Sequence, residues 1–228
     1  MPVFSDSATI TTQHESSWDA YIRSDQVSTN YSTLGNVKCS FQEGRGGNTA
    51  YRTILAFDLS DLANRNITAC TLTLKTTSGV GAGSSATVNI YKLTGTVDRA
   101  NVTWQARTLT ANWSTAGGDF STSPTATIDW PNTNDQAFTS NDLKDLLSGE
   151  EGGMVYLIIK SAESTGVATK NAIAHDEGDS EVVDNVPLLT VTSTIDHKYL
   201  WNRHQMTKFM NKSRGLIGKS TIPSVGNR

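Results

Sequence analysis

The run His175-Asp176-Glu177-Gly178-Asp179-Ser180-Glu181 carries five carboxylate or imidazole side chains able to offer oxygen or nitrogen to a cation. Closely spaced carboxylates suit Ca²⁺, a hard cation held by oxygen, and Asp176, Glu177 and Asp179 are the ligands such an ion would take. The run lacks the alternating spacing of an EF-hand loop, so a solvated acidic turn is the favoured reading and no resident cofactor is expected. His14, His175, His197 and His204 are the only histidines, and none sits in a G-x-S-x-G elbow or beside a cysteine motif. His197 and His204 stand seven positions apart, too far to meet on successive helical turns around zinc. The chain is therefore expected not to be an enzyme. Two carboxylates meeting in a cleft are the one catalytic arrangement these spacings leave open.

Three tryptophans lie in or beside loops of the central third: Trp104, Trp113 and Trp130. An exposed indole face stacks on a sugar ring, whereas a buried one is core. Trp104 shares strand parity with Val102 and reads as core. Trp113 and Trp130 are the candidates for contact with a glycan. Five Asn-x-Ser/Thr sequons occur, as chance gives in a chain with 31 Thr and 24 Ser among 228 residues, and they carry no information.

The elements that must position these residues are strands. Period-2 alternation between turn signals marks residues 20–23, 37–41, 51–58, 69–76, 87–93, 154–160, 171–175 and 187–193 as half-buried strands. Loop chemistry separates them, as in GRGGN at 44–48, SGVGAGSS at 78–85 and AGGD at 116–119. One helical signal appears, residues 139–148, with Leu143, Leu146 and Leu147 on one face and Gly149 as its stop. Phe57, Leu72, Leu74, Ile90, Leu157, Ile159, Leu189 and Val191 share parity with other apolar residues and are the expected core. Many strands with one short helix make an all-β chain, a β-sandwich whose strand order this pattern does not give. No run approaches the ~20 apolar residues that span a bilayer.

Cys39 and Cys70 each sit in an alternating apolar run and read as buried free thiols, a disulfide between adjacent strands being the alternative. Charge is unevenly spread. Residues 195–228 hold seven Lys/Arg and one acid, a net of +6, which leaves −9 for residues 1–194 out of a total of −3. The basic segment reads as a helix: at about 100° per residue, Tyr199, Met206 and Met210 fall within about 40° of one another, with Phe209 beside them. Lys198, Arg203, Lys208, Lys212 and Arg214 surround that stripe and suit an acidic partner. The expected organisation is an N-terminal arm (1–17), a sandwich (18–194) and a basic helical docking tail (195–228).

Collinear motifs within this frame resemble the DNRLRE, or disaggregatase-related, β-sandwich family. They are Asp19-Ala20-Tyr21-Ile22 with Asn30-Tyr31, YRTILAFDLSDL at 51–62, ITACTLTL at 67–74, and the stretch from Val88 to Trp104. Residues 138–149 and His175-Asp176-Glu177 with PLLTV at 187–191 complete the series. The chain departs from the family at Ser32, at Val97-Asp98-Arg99 and at Leu147. The resemblance implies a non-catalytic jelly-roll-like module that is read as carbohydrate binding and is also found in virion proteins of tailed phages. The N-terminal residues lack the basic and apolar regions of a secretory signal, and no catalytic partner domain is evident. Together these point to a structural virion protein, a capsid decoration or a head, neck or tail appendage. Its tail would engage other virion proteins or sibling subunits in a homo-oligomer or larger assembly. The alternative is an extracellular carbohydrate-binding module of a secreted polysaccharide-active enzyme or adhesin.

Overall fold

The computed structural model describes residues 9–33, 36–42, 48–74, 86–121, 126–130, 136–139, 141–161, 163, 167–173, 186–195 and 207. Eleven strands occupy most of them: β1 (Ile10–Glu15), β2 (Trp18–Arg23), β3 (Asn36–Gln42), β4 (Thr49–Asp58), β5 (Arg65–Leu74), β6 (Ala86–Lys92), β7 (Ala126–Trp130), β8 (Gln136–Thr139), β9 (Met154–Ser161), β10 (Val167–Ile173) and β11 (Leu188–Ile195). A single short helix, α1 (Asn141–Leu147), and a 3₁₀ turn at Ser60–Leu62 are the described helical elements with bounds of their own.

The strands form two sheets, antiparallel throughout. The smaller runs β1-β11-β5-β8; the larger runs β10-β3-β4-β9-β6-β7, with β2 paired to β4. Between them lies the main core. Leu72 and Cys70 of β5 sit opposite Leu189 and Val191 of β11, and these four pack with Phe57, Ile90, Leu157 and Ile159 of the larger sheet. All eight expected core residues are buried in that cluster. Alternation is the cause, because successive side chains on a strand point to opposite faces. The smaller sheet shows it plainly in β11, where Leu189, Val191 and Ser193 are buried and the residues between them are half-exposed.

In the larger sheet β4 and β9 are buried on both faces. Leu55 and Phe57 enter the main core while Ile54 enters a second cluster on the far side; Leu157 and Ile159 divide from Ile158 in the same way. Both faces being covered, the sequence there becomes a nearly continuous apolar run. α1 lies against β5, β6 and β7 and seats Leu143, Leu146 and Leu147 in the main core. It ends where Gly149 turns to φ 91°, the left-handed conformation that glycine adopts most readily past a helix C-terminus.

Three strands were not marked by alternation. β1 lies in the stretch read as an arm, of strand-like character, and it pairs residue by residue with β11 from Ile10 to Glu15 and edges the smaller sheet. β7 and β8, of five and four residues, are the others. Cys70 is a buried free thiol whose ionisation burial pushes up to about 12, so little thiolate forms at neutral pH. Cys39 lies on β3, in the opposite sheet from Cys70 on β5, so the two cysteines are not on adjacent strands. Residues 176–179 and the basic segment from Asp196, apart from Thr207, lie outside the described residues.

Candidate functional site

Between β6 and β7 the chain makes a long excursion, residues 93–121, across the outer face of the larger sheet. Its two ends meet. Leu93 and Phe120 form an isolated antiparallel bridge, Thr94 N–H donates to Asp119 O at 2.9 Å, and Ser121 N–H donates to Lys92 O at 3.3 Å. Beyond isolated bridges the excursion has no ladder of its own, so turns and side chains must satisfy its backbone. Asp98 accepts from Ala100 N–H at 3.0 Å, and Thr103 Oγ1 accepts from Ala106 N–H at 2.9 Å. From outside, Asn30 donates through Nδ2 to the carbonyls of Arg99 and Val102, each at 2.8 Å.

Arg52 holds the far end of the excursion to the sheet. Parity on β4 sends it to the same side as Ile54, where its side chain is only 9% exposed. Nε and Nη2 donate to the two oxygens of Glu163 at 2.7 Å each, and Nη1 donates to Gly117 O at 2.6 Å. The guanidinium also lies 4.5 Å from the Trp104 ring centroid and 5.8 Å from that of Phe120. Burial pushes the Glu163 carboxyl upward, but the two-point bond and charge of Arg52, together with Lys160, outweigh it and hold the group below its ordinary range. Gly117 is required here. Its φ is +92°, and a Cβ would stand 2.5 Å from Arg52 Nη1 and 2.8 Å from Trp104 Cζ2.

Around this tie runs a belt of half-buried aromatic rings on the outer cluster: Trp18, Tyr91, Trp104, Phe120 and Tyr156. Tyr91 and Phe120 lie 4.6 Å apart between centroids, Trp18 and Tyr156 5.8 Å. Beside Phe120 opens a groove of about 590 Å³ lined by Thr94, Arg107, Ser114, Thr115, Gly118 and Asp119. Asp119 accepts from the backbone N–H groups of Ser114 and Thr115 at 2.7 and 2.8 Å. Burial pushes this carboxyl upward too, but those bonds and the nearby Arg107 hold it below its ordinary range, so it is charged at neutral pH. Arg107 Nε is a buried donor with no protein partner.

A fixed acceptor, a guanidinium, hydroxyls and an aromatic ring are the groups that orient a polyhydroxylated ring and cover its apolar face. The described lining holds one carboxylate, not the pair that glycoside hydrolysis employs.

Residues 10–170 of the chain match carbohydrate-binding module family 96. The chain belongs to that family. The match begins at the first residue of β1 and takes in the whole excursion, while β11, which completes the smaller sheet, lies beyond it. The matched family is one of carbohydrate-binding modules. No curated protein matches the chain.

Within this family 96 module the residues proposed from sequence fall apart. Trp113 is 5% exposed and its indole N–H donates to Thr103 O at 2.9 Å, so it offers no face to a sugar. Trp130 ends β7 opposite Ala86, and its side chain is outside the described residues. Asp176, Glu177 and Asp179, and the tail residues Tyr199, Met206, Phe209, Met210, Lys198, Arg203, Lys208, Lys212 and Arg214, are also outside them. Among the described residues no three His, Cys, Asp or Glu side chains gather as a metal set, and no helix is long and apolar enough to cross a membrane. Trp104, read as core, is instead half-buried over Arg52. Arg52, Arg107, Asp119 and Phe120 were not legible as a group; the signal nearest to them was the loop AGGD at 116–119.

Proposed function

We propose that this module binds polysaccharide in the groove beside Phe120, with Asp119 accepting from sugar hydroxyls, Arg107 donating to them and Phe120 covering the apolar face of a ring. The observation that carries this reading is the union of a family 96 match with a groove where a charged acceptor, a guanidinium and an aromatic ring converge. Affinity electrophoresis against β-glucan, xylan, galactomannan and polygalacturonate tests it. At least one polysaccharide should retard the protein, and Phe120→Ala and Arg107→Ala should each weaken that binding by about tenfold or more, equivalent to about 1.4 kcal/mol. Retardation unchanged in both variants would remove the groove as the site.

Charge asymmetry favours a second reading, in which the module is part of a tailed-phage virion and residues 196–228 dock it to other virion proteins or sibling subunits. Seven basic residues against one acid, next to a body of net −9, support electrostatic docking of that segment. A chain ending at Ile195, the last residue of β11, should stay folded yet fail to assemble, and added salt should weaken the full-length contact. Normal assembly of the shortened chain, followed by sedimentation, would exclude this docking role.

A further inference from the structure

We infer that the binding site continues past the turn at Thr94 and Gly95 into a second groove, and that the module takes an internal stretch of an extended polysaccharide, not a terminal sugar. This rests on the polysaccharide reading above.

The second groove, of about 460 Å³, shares Thr94 and Gly95 with the first and is otherwise lined by Lys92, Thr96, Glu150 and Tyr156 among others. Each volume alone falls within the range of about 300–1,000 Å³ usual for a small-ligand site. The two also repeat one chemistry. In the first, Phe120 stands with Arg107 and Asp119. In the second, the half-buried ring of Tyr156, backed by Trp18, stands with the ion pair of Lys92 and Glu150, whose side chains are both accessible.

The two grooves adjoin along Thr94 and Gly95, which line both. Gly95 adopts φ +82°, and a Cβ there would come within 2.4 Å of Arg107 Nη1. Glycine therefore makes both the turn and the close approach of that guanidinium possible, where a larger residue would strain the one and displace the other. A site for one terminal sugar is closed at an end; two aromatic-and-charge subsites that share a wall suit a linear chain lying over both.

The test uses oligosaccharides from disaccharide to octasaccharide, cut from whichever polysaccharide in the panel above binds, titrated by calorimetry against the full chain. Affinity should rise by about tenfold or more between disaccharide and hexasaccharide. Tyr156→Ala should erase that gain while changing disaccharide affinity little. Because truncating Tyr156 also thins the outer cluster, Thr96→Met, at an exposed position on the second groove, serves as a variant that narrows the groove without an aromatic face and spares the core; it should erase the same gain. Affinity independent of length, or variants that weaken every length equally or none, would overturn the two-groove site while leaving polysaccharide binding intact. Absence of binding by every polysaccharide would instead overturn the parent reading, and this inference with it.

Discussion

Replacing Arg52 with alanine will destabilise the protein by about 3–5 kcal/mol, the range for removing one partner of a buried ion pair. The cost comes from what is left behind. Glu163, 22% exposed, loses both of its short bonds from the fork, Gly117 O loses its donor, and Trp104 loses the cation it covers. Arg52→Lys should recover only part of the loss, because an ammonium cannot reproduce two parallel bonds to a carboxylate and a third to a carbonyl. Urea denaturation at neutral pH measures both.

The same pair sets a pH dependence with a definite sign. The folded-state pKa of Glu163 lies below its unfolded value, so its contribution is fully present above the ordinary carboxylate range and fades as pH falls through the depressed folded value. The stability difference between the native chain and Glu163→Gln should therefore shrink on acidification. A difference that holds constant into acid would show that the carboxylate charge contributes nothing.

Phe57→Ala will cost about 3–5 kcal/mol, as expected for deleting a buried aromatic side chain from a packed core. Phe57 is fully buried between the sheets, on a strand whose neighbours fix it from both sides. Leu109→Ala is the matched control: that leucine is 79% exposed, and surface changes of this kind stay within about 0.5 kcal/mol. Comparable effects at the two positions would contradict the strand parity that places Phe57 inside.

That parity is why the core was legible and the groove was not. Leu189 and Val191 alternate with threonines, so the sequence declares which side is buried. β1, by contrast, is ITTQHE along an edge, with Thr12 and His14 as its half-buried residues, and a strand whose inward side chains are polar has no apolar alternation to detect. β7 and β8 are too short to show a period. Trp104 and Trp113 expose the limit most clearly. Parity with Val102 argues for burial of Trp104, yet residues 102–105 are irregular backbone in which a period of two has no meaning, and it is Trp113 that is buried. The groove draws Arg107, Asp119 and Phe120 from a segment shaped by side chain to backbone bonds, and the tie that holds it comes from Arg52 and Glu163, distant in sequence. No local pattern records such a meeting.

The bridge between Leu93 and Phe120 makes the excursion a cassette. A segment that departs and returns at adjoining points can be lengthened at a cost that grows only with the logarithm of its length, and the strand registers on either side need not change. Divergence can thus rewrite the surface between those two anchors while inheritance preserves the frame. Transplanting residues 94–119 from one such frame to another, with the arginine and glutamate that clasp them, is the corresponding engineering route to a new outer surface on an old core.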